Sequence, residues 1–162
     1  MKTILYSALT ANGNYGDSET GQLPKQEELN NLDKHAKEAG NIVMGRKTYE
    51  IFNDGEIFSG LDVVVVSSNR TFEDAKVVES PGEALKYLNL QGYDKAFVIG
   101  GVTLASVFLS ENLIDELYIN IEPYIESGLK LEPNDGKSLN LTLLGHREIE
   151  KSGIVQLHYK IS

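Results

Sequence analysis

The sequence predicts an α/β fold: a central, mainly parallel sheet flanked by helices, finished by a C-terminal antiparallel hairpin. Three observations carry this. Short runs rich in valine and isoleucine alternate with segments of helical spacing along most of the chain. One run, Val63 to Val66, is four consecutive valines, the pattern of a strand covered on both faces. The last run differs: Val155, Leu157, Tyr159 and Ile161 alternate with Gln156, His158 and Lys160, the period of two of an antiparallel strand.

The elements follow in order. Thr3 to Leu9 reads as the first strand. Thr10 to Gly21 reads as a long loop, because Gly13, Gly16 and Gly21 stand among Asn, Asp, Ser and Thr. Lys25 to Ala39 is expected to be helical, with Leu29, Leu32, Ala36 and Ala39 on one face. Asn41 to Met44 is a short buried strand and Arg46 to Phe52 a short helix. Asp62 to Ser67 is the valine strand, and Lys76 to Glu79 is another short one. Pro81 opens a helix where its missing N–H is not needed, and Ala84, Leu85 and Leu88 form the inner stripe. Lys95 to Ile99 is a strand, and Val102 to Ser110 is a helix with Leu104, Val107 and Phe108 inward. Glu116 to Tyr124 is a long strand. Leu139 to Ile149 and Ile154 to Ile161 flank a short turn at Lys151 to Gly153.

Bulk properties narrow the function classes. A length of 162 residues suits one domain, residues 1–162. Hydrophobic content of 41% and charged content of 24% suit an ordinary globular core. The absence of cysteine excludes disulfides, zinc–thiolate sites and thiol nucleophiles. Three scattered histidines point to no metal site. No apolar run approaches the roughly 18 residues of a membrane span. The first residues lack the charged segment and cleavage site of a signal peptide, so a cytoplasmic location is expected. A net charge of −9 argues against non-specific nucleic-acid binding. It leaves room for an anionic small ligand, since local donors can outweigh the global field.

Two predicted strand-to-helix junctions carry glycine: Met44-Gly45-Arg46-Lys47-Thr48 and Ile99-Gly100-Gly101-Val102-Thr103. A helix start offers unpaired N–H groups and partial positive charge, and glycine lets the backbone approach a ligand closely. Ser67-Ser68-Asn69-Arg70, after the valine strand, offers hydroxyls and a guanidinium suited to a phosphate monoester. A pyrophosphate plus a separate phosphate is what NADP carries. Neither junction is a Walker loop or the G-x-G-x-x-G dinucleotide fingerprint. Each junction alone is ordinary turn chemistry. Their weight comes from falling at the ends of successive strands, where α/β sheets bind ligands.

Ile42 to Glu50 and Val65-Val66-Ser67-Ser68 resemble the cofactor-binding segments of dihydrofolate reductases. Phe97 to Leu104, continuing through Phe108-Leu109 to Leu113-Ile114-Asp115-Glu116-Leu117, is similar to the reductase domain of riboflavin biosynthesis, which shares that fold. Ile121-Glu122-Pro123-Tyr124 and the closing hairpin fit the same domain. The resemblance implies a dihydrofolate reductase-like fold and NADPH as cofactor. It implies that Gly45, Arg46, Lys47 and Thr48 contact phosphate, and that Ser67 and Ser68 lie near the adenosine 2′-phosphate. Gly100, Gly101, Val102, Thr103 and Leu104 would line the pyrophosphate and nicotinamide side. Relatives often form dimers, so a homodimer pairing across an edge formed by the strand Leu117 to Tyr124 and the closing hairpin is an expectation.

Two departures concern the substrate. Pyrimidine reductases usually show Ser-x-Asp-Gly-Lys after the first strand, where this chain has Thr10-Ala11-Asn12-Gly13-Asn14. The arginine that pairs with a folate carboxylate has no counterpart between Phe58 and Val63. Reduction of a C=N bond also needs a proton donor. In dihydrofolate reductases the acid lies early in the helix after a Leu-Pro step, and here Leu23-Pro24 precedes Glu27 and Glu28. Both also read as residues that complement the helix dipole. Asp17 is a further candidate. His35, between Lys34 and Lys37, reads as part of a solvated face. Tyr49 is expected in the core. The expected activity is NADPH-dependent hydride transfer to a small pyrimidine-like or pteridine-like heterocycle. The alternatives are a dihydrofolate reductase proper and a non-catalytic nucleotide-binding module of the same fold.

Overall fold

The valine run lies in the interior, and Val64 and Val65 expose no surface. In the computed structural model, which describes residues 1–15, 24–52 and 56–162, that run belongs to an eight-stranded sheet. The elements are β1 (Lys2–Thr10), β2 (Asn14–Tyr15), α1 (Gln26–Ala39), β3 (Asn41–Gly45), α2 (Arg46–Ile51), β4 (Asp62–Val66) and β5 (Lys76–Val78). They continue with α3 (Pro81–Leu90), β6 (Lys95–Gly100), α4 (Val102–Ser110), β7 (Glu116–Glu122), β8 (Leu129–Lys130), β9 (Leu141–Ile149) and β10 (Ile154–Ile161). A 3-10 turn spans Glu56–Phe58.

The main sheet runs β5-β4-β3-β6-β1-β7-β10-β9. Every pair from β5 to β7 is parallel, and β10 is antiparallel to both β7 and β9. Strand periodicity sorts side chains onto two faces even in the uniformly apolar strands. Ile4, Tyr6, Ile42, Met44, Val63, Val65 and Phe97 pack beneath α1 and α2, against Leu32, Ala36 and Tyr49. Leu5, Val43, Val64 and Val98 face the other way, against Ala84 and Leu88 of α3 and Ala105, Phe108 and Leu109 of α4. Burying one such large side chain contributes about 1.5–3 kcal/mol.

α1 ends where Gly40 adopts a left-handed φ of 80° and donates its N–H to Ala36 O. Beyond it, Asn41 ties β3 to β6. Its buried side chain donates to Lys95 O at 2.7 Å and accepts from Phe97 N at 3.1 Å. The β3–β6 register then slips between Val43 and Met44, which sets Met44 opposite Gly100.

Some local expectations change. The glycine loop after β1 contains β2, paired antiparallel with β8; its continuation from Gly16 lies outside the described residues. The penultimate strand starts at Leu141, not Leu139. His35 is half-buried rather than solvated: its ring lies 4.5 Å from Tyr118 and 5.7 Å from Tyr6, while Lys34 and Lys37 remain exposed.

Candidate functional site

At the carboxyl ends of β1, β3, β6 and β7 the sheet opens into a cavity. Its walls are mostly apolar, with Leu9, Leu32, Phe52 and Ile99 among them. Thr48, Gly101, Glu28 and Glu122 also line it. Strand adjacency assembles this set. β3 and β6 are neighbours, so the two glycine junctions meet. A Cβ added at Gly45 would lie 3.8 Å from Gly100 O and 3.9 Å from Gly101 N. A Cβ at Gly101 would lie 3.5 Å from Thr48 Oγ1. Gly100 has a φ of 104°, which a side chain would strain, and the Gly100–Gly101 peptide is cis.

α4 begins at Val102, and among the described residues no side chain caps its first N–H groups. The N–H groups of Val102, Thr103 and Leu104 therefore sit at an uncapped helix start beside Gly45. Arg46 and Thr48 lie in α2, with Thr48 buried and Lys47 exposed. The Ser67–Arg70 segment follows β4, whose Val66 pairs with Gly45. Arg46 reaches Glu50 Oε1 at 3.2 Å, and Arg70 binds the same oxygen, so both guanidiniums gather on one carboxylate. Ser67 Oγ donates to Asn69 Oδ1 at 3.3 Å. Ser68, Asn69 and Arg70 are exposed and do not line the cavity.

Of the acid candidates, Glu28 alone among the described residues faces the cavity. It lies in the first turn of α1, yet it is only 1% exposed. Glu27 points elsewhere and is half-exposed, and Asp17 lies outside the described residues. Glu28 Oε1 accepts from the Tyr6 hydroxyl at 2.7 Å and from the Asn120 amide. Tyr6 Oη accepts in turn from Asn31 Nδ2 at 2.8 Å and Asn120 Nδ2 at 2.7 Å. Arg147 on β9 donates to Asn31 Oδ1. Burial pushes the Glu28 carboxyl above the usual carboxylate range, opposed by hydrogen bonds from Tyr6, Asn120 and Glu122. Burial, then the Glu28 charge, raises the Tyr6 phenol far above its ordinary value. The Tyr15 phenol, bonded to Ser7 Oγ at 2.7 Å, is pushed up to about 12 by burial.

Sequence reasoning gave no site role to Tyr6, Asn31, Asn120 or Glu122. One signal was available. On β7, Tyr118, Asn120 and Glu122 alternate with Leu117, Ile119 and Ile121. A polar stripe on a strand inside an α/β sheet must face either an edge or a site.

The two asparagines after β1 are occupied structurally. Asn12 Oδ1 accepts from Glu126 N at 3.3 Å, and Asn14 Nδ2 donates to Glu126 O at 3.0 Å. They pin this turn to the segment after β7. Among the described residues there is no cluster of three or more His, Cys, Asp or Glu fit for a metal ion.

The family model described as dihydrofolate reductase matches residues 4–127. No curated protein matches the chain. Among solved structures, a protein from Shewanella sp. PV-4 named for riboflavin biosynthesis is 22% identical, with a TM-score of 0.75, covering 100% of this chain and 99% of that one. RibD from Acinetobacter baumannii is 14% identical with a TM-score of 0.79; the likeness covers 99% of this chain but 58% of that one. A pyrimidine reductase-like protein from Corynebacterium diphtheriae NCTC is 17% identical with a TM-score of 0.74, covering 99% and 92%. At these identities the structural likeness shows a shared fold.

Proposed function

The chain belongs to the dihydrofolate reductase family, and from that premise we propose that it is an NADPH-dependent reductase of a small pyrimidine-like or pteridine-like heterocycle. One observation carries the reading: Gly101 and Thr48, from the phosphate-suited junctions, line the same cavity as the buried acid Glu28. When bound, NADPH supplies the hydride.

The residues fit that cofactor. Gly45 and Gly101 leave open the space that side chains would fill. The uncapped N–H groups at Val102, Thr103 and Leu104 suit the pyrophosphate, with Gly45, Gly100, Arg46, Lys47 and Thr48 alongside. Ser67, Ser68, Asn69 and Arg70, at the end of the adjacent β4, suit the 2′-phosphate. Leu9, Leu32, Phe52 and Ile99 keep water from the reacting centre. Glu28, whose carboxyl burial raises above the usual carboxylate range, would be the group that supplies a proton to the substrate nitrogen. The reading includes a cytoplasmic location; no described helix is long and apolar enough to cross a membrane. It also includes a homodimer: β7 lies between β1 and β10 and offers no edge, which leaves edge strand β9, where Leu141, Leu143 and Leu144 are exposed.

The test is NADPH oxidation, followed by absorbance, against aminopyrimidinones, dihydropteridines, dihydrofolate and simple carbonyl compounds. Oxidation with a heterocycle is expected. Turnover of dihydrofolate alone identifies a dihydrofolate reductase proper. Tight NADPH binding with no turnover on any compound identifies the non-catalytic module. A protein that does not bind NADPH contradicts the proposal.

A further inference from the structure

Arg147, on β9, does not line the cavity, yet a chain of hydrogen bonds joins it to the buried acid. Arg147 donates to Asn31 Oδ1, Asn31 Nδ2 donates to Tyr6 Oη at 2.8 Å, and the Tyr6 hydroxyl donates to Glu28 Oε1 at 2.7 Å. The direction of each bond follows from what its partners can offer. A guanidinium has donors only, so the Asn31 oxygen faces Arg147 and the Asn31 NH2 group faces Tyr6. The Tyr6 oxygen also accepts from Asn120 Nδ2 at 2.7 Å. Both of its lone pairs are then taken, and its one proton is left to Glu28 Oε1. Asn120 Nδ2 also donates to that Oε1, which therefore holds two donors. Glu28 Oε2 is buried and takes no donor among the described residues. Turned the other way, Asn31 would offer Tyr6 an acceptor and compete with Glu28 for the phenol proton. Asn31 and Tyr6 are 5% and 2% exposed, so water has little access to replace either partner.

We propose that Arg147 is a positioning residue for Glu28: it holds Asn31 as a donor to Tyr6, which fixes the Tyr6 hydroxyl on Glu28 Oε1 and leaves the proton of the acid to Oε2. The control comes from the outermost strand of the sheet. Hydrogen bonds in series polarise one another, so the chain makes Tyr6 a stronger donor than a lone phenol. A stronger donor on Oε1 favours the ionised carboxyl, and loss of the chain should raise the Glu28 pKa. The other groups around the acid do not imitate this. Glu122, Tyr15 and Tyr124 line the cavity whether or not Arg147 is present. Gln156 of β10, opposite Asn120, is uncharged. His35, one turn beyond Asn31 on α1, packs against Tyr6 and Tyr118, and burial lowers its pKa. The Arg147 charge lowers it further. Loss of Arg147 would therefore favour a positive His35, which would lower Glu28, the opposite sign. The use of the Oε2 proton in catalysis rests on the reductase reading; the relay that places it does not.

The experiment is carbon NMR of the full chain with the glutamate carboxyl carbons isotope-labelled, titrated over the pH range in which the chain stays folded. The Glu28 resonance is the one missing from Glu28→Gln. Arg147→Ala, at an exposed position, should move its midpoint up by about half a pH unit. The decisive arm adds Arg147→Ala to Tyr6→Phe, which cuts the chain, or to Asn31→Leu if Tyr6→Phe does not fold. On the cut background the shift should be absent. A role confined to packing would change stability and leave the midpoint in place. An unmoved midpoint in folded Arg147→Ala overturns the proposal. So does an equal shift on the cut background, because Arg147 would then act by charge through space. If the shift and its loss both appear in a protein that never oxidises NADPH, the relay stands and the reductase reading fails. If the enzyme turns over, the alkaline limb of its kcat profile should rise by the same amount in Arg147→Ala with KM unchanged. A limb that stays while the resonance moves removes Glu28 as the proton donor and leaves the relay intact.

Discussion

Replacing Tyr6 by Phe removes one oxygen from the centre of the buried polar network and leaves the ring in place. That oxygen accepts from Asn31 and Asn120 and donates to Glu28. Asn120 keeps its bond to Glu28 Oε1, so its loss is partial. Asn31 Nδ2 loses this acceptor in a position only 5% exposed. A stranded buried donor costs about 1–3 kcal/mol, and the lost bond to the carboxyl roughly 1 kcal/mol more. The expected destabilisation is about 2–4 kcal/mol. For a chain of this length each kcal/mol lowers Tm by roughly 2–4 °C, so thermal unfolding followed by circular dichroism should shift down by about 4–16 °C. NADPH affinity should be unchanged, because Tyr6 lies on the acid side of the cavity. A shift within about 1 °C would mean that the network does not support the fold in the way the hydrogen bonds imply.

Glu28→Gln should alter how stability depends on pH. Burial raises the native Glu28 pKa, so above the ordinary carboxylate range the folded chain holds a proton that the unfolded chain has released. Wild-type stability therefore falls as pH rises from that range through the raised native value, and the variant lacks this slope. Denaturation curves at pH 4 and pH 8 should show the variant gaining relative to wild type; parallel curves would refute the assignment. In the turnover assay the same variant should lose about 10²–10⁴-fold in kcat with NADPH binding retained, and an unaltered kcat would remove Glu28 as the acid. Asn41→Ala strands Phe97 N–H and Lys95 C=O at the β3–β6 seam, for a loss of about 2–4 kcal/mol. Urea unfolding checks this, and a change below about 0.5 kcal/mol would show the clamp to be dispensable.

The order of strands and helices was legible because periodicity and junction residues are local properties. The position of each strand in the sheet was not, since parallel partners are set by contacts between distant segments. β1 lies between β6 and β7, and β3 beside β6, at separations no short window reports. The same applies to the site. Gly45 and Gly100-Gly101 were each visible as junctions, but their convergence follows from the β3–β6 pairing and its register slip. Glu28 was visible only as one of two acids in a helical first turn. Which one turns inward depends on how α1 docks over β1 and β7. Tyr6 and Asn120 carried no local mark, because a polar group on a buried strand shows its role only once its partners are in place. His35 was misread for a related reason: flanking lysines suggest a wet face, while Tyr6, Phe97 and Tyr118 cover the ring.

The central claim is that the joined glycine junctions hold NADPH beside a buried acid, and a fluorescence titration of NADPH into wild type and Gly101→Asp tests it most directly. An aspartate there brings a side chain toward Thr48 and an anion to the start of α4, where phosphate is expected. The account predicts saturable binding to the wild type and none to a variant with unchanged circular dichroism. Equal affinity in the two proteins, or no binding to the wild type, would contradict it.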